Sequence, residues 1–328
     1  MSLTKEMLEI PWTEKYRPKN FDEIVSQSIA VNNLKEFVKN TNMPHMIFTG
    51  PAGTGKTSTA LIIAKSFLKE EELDTNLLEV NASDTVRIQF VRDVLKNFVN
   101  QNLIKNGALK LVILDEADNI PSQVQQALRR IIEKASSKVK FILLCNYINR
   151  IIDPIISRCA VFRFVTLPEE KIVERLKYIA EKEDLKIPVE KADEFYQQLY
   201  FISGGDLRKA INVLQMSVAL ELLANLDLNE ILRISGFLDN PTLNRLIKAL
   251  KDKNFSKSRD IIKSIENIDS RNIIRQINVI LPSINIKSGK IPDLKVYFGE
   301  IDYRISQGAD VEIQISSLLG KIIESIEK

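Results

Sequence analysis

Gly50, four residues, then Gly55-Lys56-Thr57 is a spacing that holds phosphate. The apolar run "MIF" leads into it and "STALIIAKSF" leads out, so the glycine-rich turn joins a strand to a helix. The residues Gly50, Pro51, Ala52, Gly53, Thr54, Gly55, Lys56 and Thr57 therefore form a candidate nucleotide cradle. Glycines let backbone N–H groups turn inward around phosphate oxygens, and the helix N-terminus adds its dipole. Lys56 then reaches the β- and γ-phosphates, while the Thr57 hydroxyl meets a Mg²⁺ ion. "LVILDEAD" supplies the other half of the chemistry. Asp115 leaves an apolar strand at its C-terminal end, where a carboxylate holds Mg²⁺ through water. Glu116 follows and can polarise the attacking water as general base. Either motif alone could be a chance turn or a solvated acidic pair. Together they predict hydrolysis of a bound nucleotide, not binding alone.

Three more residues fit the same chemistry. Asn146 ends "KFILLCN" and is either a γ-phosphate contact between the two motif strands or a plain strand-ending asparagine. Arg208, in "GGDLRKAIN", opens a later helix and either folds onto the phosphates or is a solvated charge. Arg158, in "IIDPIISRCAVFRF", stands at the entrance to a buried strand with Asp153 as its only carboxylate nearby in sequence, across a proline. A cation with no local anion needs one from elsewhere, and a neighbouring subunit is one source.

The elements that must position these residues follow from hydropathy. Between residues 45 and 165, "HMIFTG", "LLEVNAS", "LKLVILDEAD", "KFILLCN" and "AVFRFV" are short apolar runs separated by helical patterns. In "QVQQALRRIIEKA" the residues Val124, Ala127, Leu128, Ile131, Ile132 and Ala135 recur at helical spacing. Near-continuous apolar strands alternating with helices predict an α/β fold, a parallel sheet covered on both faces. After Pro168 the strand signal stops and amphipathic helices follow, punctuated by Pro241, Pro282 and Pro292. The expected division is an α/β nucleotide domain over 1–166, a helical domain over 167–230 and a second helical domain over 231–328.

Composition narrows the function. The 328 residues carry 46 basic and 43 acidic side chains, net +3, so contact with nucleic acid must come from a local basic surface. Cys145 and Cys159 match no metal-ligand spacing and read as small apolar residues, and the lone His45 reads as structural. No apolar run approaches the roughly 20 residues of a membrane helix. The opening "MSLTKEMLEIPWTEKYRPK" is charged throughout, so a cytoplasmic protein without a signal peptide is expected.

The order of Gly50–Thr57, Asp115-Glu116, Asn146, Ser157-Arg158-Cys159 and Gly205-Asp206-Leu207-Arg208 resembles an AAA+ ATPase of the clamp-loader clade. More narrowly, "WTEKYRPKNFDEIVSQ", "NASD", "QQALRR", "CNYINRIIDPIISRCAVFRF" and "GGDLRKAIN" resemble the small subunits of replication factor C of archaeal type, from end to end. The resemblance implies a helical lid over 167–230 and a helical collar for oligomerisation over 231–328. It implies ATP and Mg²⁺ as cofactors, with Thr57 and Asp115 on the metal. Tyr16, Arg17 and Pro18, with Ile24 and Val25 behind, would surround the adenine. Asn81 resembles the residue that holds the catalytic glutamate inactive until DNA binds, and Arg158 an arginine finger reaching a neighbour's ATP.

The implied partners are other clamp-loader subunits, large and small, the sliding clamp and primer–template DNA, with no membrane. The implied function is ATP-driven opening of the clamp and its loading on primed DNA. In "NASDTVRIQFVRDVLKNF" the chain departs from the family pattern, with Val86 where arginine is expected and Arg87 where glycine is expected. Arg87, Arg92 and Lys96 remain as basic candidates to follow the DNA backbone, which positions without reading sequence. Two rivals stay open. A polymer-threading remodeller or helicase usually carries an aromatic pore loop, which "SDTVRIQ" lacks; a non-catalytic ring subunit would suit the altered 85–89 stretch.

Overall fold

The structure is a computed structural model that describes residues 10–39, 43–82, 91–100, 109–135, 139–265 and 269–327. The chain divides into two compact units, Met1–Leu185 with Leu199–Gln215, and Lys186–Gln198 with Met216–Lys328.

In the first unit, the five predicted apolar runs are strands: β1 His45–Thr49, β2 Leu77–Asn81, β3 Lys110–Asp115, β4 Val139–Cys145 and β5 Cys159–Arg163. Among the described residues they form one sheet in the order β2-β3-β4-β1-β5, and every pairing is parallel. Side chains alternate across a strand, and both sets are apolar. Phe141, Leu143 and Cys145 of β4 join Val112 and Leu114 of β3 in one core, with Val124, Leu128 and Ile132 of the helix Ser122–Lys134. Ile142 and Leu144 join Met46 and Phe48 in the opposite core, with Ala60, Ile63 and Ala64 of the helix Lys56–Phe67. The sheet is thus covered on both faces, as continuous apolar strands require.

Parallel strands put all their C-terminal ends on one edge. Thr49, Asp115 and Cys145 end β1, β3 and β4 there. At the opposite edge the short helix Asp153–Ile156, with Pro154 in its first turn, delivers Ser157 and Arg158 to the start of β5. There Cys159 pairs with His45, while at the other end Arg163 pairs with Thr49. Cys145 is buried and Cys159 half-buried, and burial pushes the Cys159 thiol up to about 12. The ring nitrogen Nδ1 of His45 accepts the Phe141 backbone N–H at 3.1 Å.

The second unit is helical. Asn240–Lys251, Phe255–Lys263, Ser270–Ile280, Ile291–Ser306 and Val311–Ser325 surround a core that includes Leu246, Leu250, Ile273, Ile277, Leu294, Ile301, Leu318 and Ile322. Buried Gln276 braces it, donating to the Leu238 carbonyl at 2.8 Å and accepting the Leu238 N–H at 2.8 Å. Among the described residues no helix is long and apolar enough to cross a membrane.

Candidate nucleotide site

The C-terminal edge of the sheet builds one cleft from distant parts of the first unit. Tyr16, Arg17, Ile24, Val25, Ala52–Thr57, Asp115, Glu116, Asn146 and Arg208 all line it, together with Arg175 and Leu207. At the turn after β1, Gly53 has φ +68° and Gly55 φ +96°. That left-handed backbone costs an L side chain energy, and here it turns the loop tightly enough to start the helix Lys56–Phe67 directly behind it.

Lys56 is buried and its Nζ donates to the Gly50 carbonyl at 2.8 Å, the Pro51 carbonyl at 2.8 Å and Asn146 Oδ1 at 3.0 Å. Burial lowers its pKa, with the Asp115 carboxylate opposing. A buried cation whose hydrogen-bond acceptors are all neutral gains from an anion placed beside it. Beside it, the Thr57 hydroxyl donates to Asp115 Oδ2 at 2.9 Å. The two predicted metal ligands therefore converge as hard oxygen donors, the set that suits Mg²⁺.

Asp115 Oδ1 accepts the Glu116 N–H at 2.8 Å, and Glu116 itself has φ +54°. A non-glycine residue in that region is strained, and strain of this kind gathers at active sites. The Glu116 carboxylate accepts from Asn119 Nδ2 at 3.1 Å, while Asn81 lies in register with Asp115 on the neighbouring strand.

Several positioning residues carry no sequence signal. Buried Asp118 accepts the backbone N–H groups of Asn146 at 3.2 Å and Tyr147 at 3.1 Å, and so fixes the end of β4 against the turn after β3. Buried Gln125 donates to the Ile120 and Arg150 carbonyls, each at 2.9 Å, and accepts the Ile152 N–H at 2.9 Å. Arg175 donates to the Tyr16 carbonyl at 2.8 Å and lies 4.9 Å over the Tyr178 ring. The Tyr16 hydroxyl donates to Glu183, which Lys15 also meets at 2.6 Å. Burial and that carboxylate hold the phenol proton firmly on Tyr16.

Arg158 is the one predicted catalytic residue that the fold keeps away from this cleft. It immediately precedes Cys159, whose partner His45 begins the strand that ends at the phosphate loop. The absence of a local anion, expected from sequence, is corrected: its guanidinium meets Glu133 at 2.5 Å, and NH1 donates to the Pro154 carbonyl at 2.6 Å. Glu133 lies 25 positions back in the chain, and the end of the helix Ser122–Lys134 brings it there. Of the basic DNA candidates, Lys96 is exposed on the helix Lys96–Asn100. Arg87 and the Arg92 side chain lie outside the described residues.

Residues 46–167 match the AAA family, ATPases associated with various cellular activities, and residues 240–321 match the replication factor C C-terminal domain. The chain is 40% identical over 319 residues to replication factor C small subunit 1 of Pyrobaculum islandicum, covering 96% of this chain and 95% of that protein. It is 39% identical to the replication factor C small subunit of Staphylothermus marinus, covering 98% and 97%. With that of Sulfurisphaera tokodaii the identity is 40%, covering 100% and 98%. Among solved structures, the Thermotoga maritima RuvB Holliday junction branch migration motor superposes with a TM-score of 0.55 at 18% identity, over 83% of this chain and 92% of that one. That likeness shows the fold.

Proposed function

The chain belongs to the replication factor C small-subunit family, and on that premise we propose that it is an ATP-hydrolysing clamp-loader subunit, which opens a sliding clamp and loads it on primed template DNA. In this reading 167–230 is the lid, and 231–328 is the collar through which the chain joins large and small partner subunits.

The observation that supports it best is the placing of chemistry at both ends of one parallel sheet. At the C-terminal edge, Lys56 neutralises the transferring phosphoryl group and Asn146, held on the lysine, faces the γ-phosphate. Thr57 and Asp115 would hold a Mg²⁺ ion, which would supply charge neutralisation for the phosphates. Glu116 orients the attacking water and draws its proton. Arg208, from the lid, closes over the phosphates, and Tyr16, Arg17, Ile24 and Val25 enclose the base.

Arg158 serves a different molecule of ATP. The strand register sets it level with Pro44, six residues before Gly50, which at about 3.3 Å per residue is roughly 20 Å from its own phosphate loop. A guanidinium at that distance acts in trans. Arg87, Arg92 and Lys96 follow the backbone of the primer–template duplex.

Mixing two inactive proteins tests this reading. One carries Lys56→Ala and keeps its finger; the other carries Arg158→Ala and keeps its phosphate loop. Each alone hydrolyses almost nothing, since a finger contributes about 10³–10⁵ in turnover. Mixed complexes, verified by co-purifying differently tagged chains with these subunits adjacent, recover DNA- and clamp-stimulated ATP turnover. No recovery in such complexes refutes the trans assignment.

A further inference from the structure

The residue that meets Arg158 has an unusual address. The helix Ser122–Lys134 starts just behind Glu116 and Asp118, at the phosphate end of the sheet. Its 13 residues at about 1.5 Å each carry the chain back nearly the length of the strands. Val124, Leu128 and Ile132 anchor it to the core, so Glu133, next to the last anchor, lies on its flank at the opposite end. There Glu133 Oε1 accepts from Arg129 Nε at 2.8 Å and meets Arg158 NH2 at 2.5 Å.

We propose that Glu133 is a positioning residue for the finger, holding the Arg158 guanidinium so that its outward N–H groups face a neighbouring chain's nucleotide. The inference rests on the trans reading of Arg158 given above. Three features carry it. The carboxylate and the Pro154 carbonyl grip the guanidinium from two sides, through NH2 and NH1, with Ser157 Oγ 3.3 Å from NH1. A guanidinium has five N–H groups, and these contacts use at most three of them. The pair is also reachable from outside, with side chains 35% and 32% exposed. The finger is therefore oriented, but not sequestered. Arg129 completes the arrangement, since its hydrogen bond, ahead of the charges around it, holds the Glu133 carboxyl below the ordinary range and keeps it ionised.

The test compares ATP turnover by the assembled complex on primed DNA for wild type, Glu133→Ala, Glu133→Gln, Arg158→Ala and the Glu133→Ala/Arg158→Ala double variant. Misplacing a reacting group by an ångström costs up to about 100-fold, so Glu133→Ala is expected to lower kcat roughly tenfold to a hundredfold with KM for ATP unchanged. Glu133→Gln, which keeps an acceptor but not the charge, falls between Glu133→Ala and wild type and carries the test if the alanine protein fails to fold. In the Arg158→Ala background, Glu133→Ala has no further effect. A loss that persists undiminished in the double variant marks a merely structural role and overturns the proposal. So does unchanged turnover, and so does faster turnover, which would mean that Glu133 restrains the finger from acting. If Arg158→Ala itself leaves turnover intact, the finger reading fails and takes this inference with it. If Arg158→Ala is crippled while both Glu133 variants work normally, the positioning role alone fails.

Discussion

Gly53 and Asp206 meet so closely that a Cβ on the glycine would stand 1.7 Å from the aspartate's Oδ1 and 3.0 Å from its Cα. The carboxylate cannot retreat freely, because Oδ1 also accepts the Lys209 N–H at 3.1 Å and caps the helix Leu207–Ala219. Gly53 therefore sets how near the Arg208 helix comes to the phosphate loop. Gly53→Ala forces that helix outward and adds left-handed strain of about 1 kcal/mol. The expected outcome in calorimetric titration is a loss of ATP affinity of at least about tenfold, or 1.4 kcal/mol.

If, as proposed, Lys56 serves binding and Glu116 serves chemistry, their variants separate accordingly. Lys56→Ala removes the buried ammonium of the cradle and abolishes detectable nucleotide binding. Glu116→Gln leaves the cradle intact and binds ATP, but its turnover falls by about 10²–10⁴, the usual contribution of a general base. Filter binding and steady-state phosphate release check the two halves separately. Near-normal hydrolysis by Glu116→Gln removes that residue from the mechanism.

Lys96 carries the described part of the DNA proposal. Neutralising it to alanine weakens binding to primed DNA about equally for every sequence, and the slope of log K against log salt falls by roughly one unit. Fluorescence anisotropy at several salt concentrations measures this. An unchanged slope returns Lys96 to a solvated helix charge.

His45 makes the first unit sensitive to acid. Burial, with Lys140 adding repulsion, lowers its pKa to about 4, and Nδ1 must stay unprotonated to accept the Phe141 N–H. The unfolded chain takes up this proton near pH 6.5, before the folded one does. Stability from this group is therefore complete above about pH 6.5 and declines as pH falls towards 4, by up to about 2 kcal/mol after solvent screening. Urea unfolding at pH 7 and pH 5 shows the decline in wild type, and a smaller one in His45→Asn. Equal declines in the two proteins discard the argument.

The strands and the cradle were legible because each signal is local. An apolar run that ends in Gly50, Asp115 or Asn146 states both the strand and the edge at which its chemistry sits. The residues that organise the site were not. Gln125, Glu133 and Arg175 are polar side chains in amphipathic helices, where the default expectation is a solvated face. Only the packed structure shows that Gln125 is buried with three backbone partners and that Arg175 reaches the Tyr16 carbonyl. Arg158 illustrates the point most directly. Its neighbours in sequence offer Asp153 across a proline, whereas the partner it meets arrives on a helix from the far end of the sheet.

If Arg158 is the finger proposed above, a chain with its phosphate loop at one end of a sheet and its finger at the other is polar, like a link with a hook and an eye. Joined head to tail, such links make heterologous contacts that either close into a ring or stay open. Each junction, not each chain, then makes one working site. An open row of n links has n − 1 of them, with an unserved nucleotide on one flank and an unemployed arginine on the other. On that reading, turnover per chain rises as the row lengthens and falls on dilution.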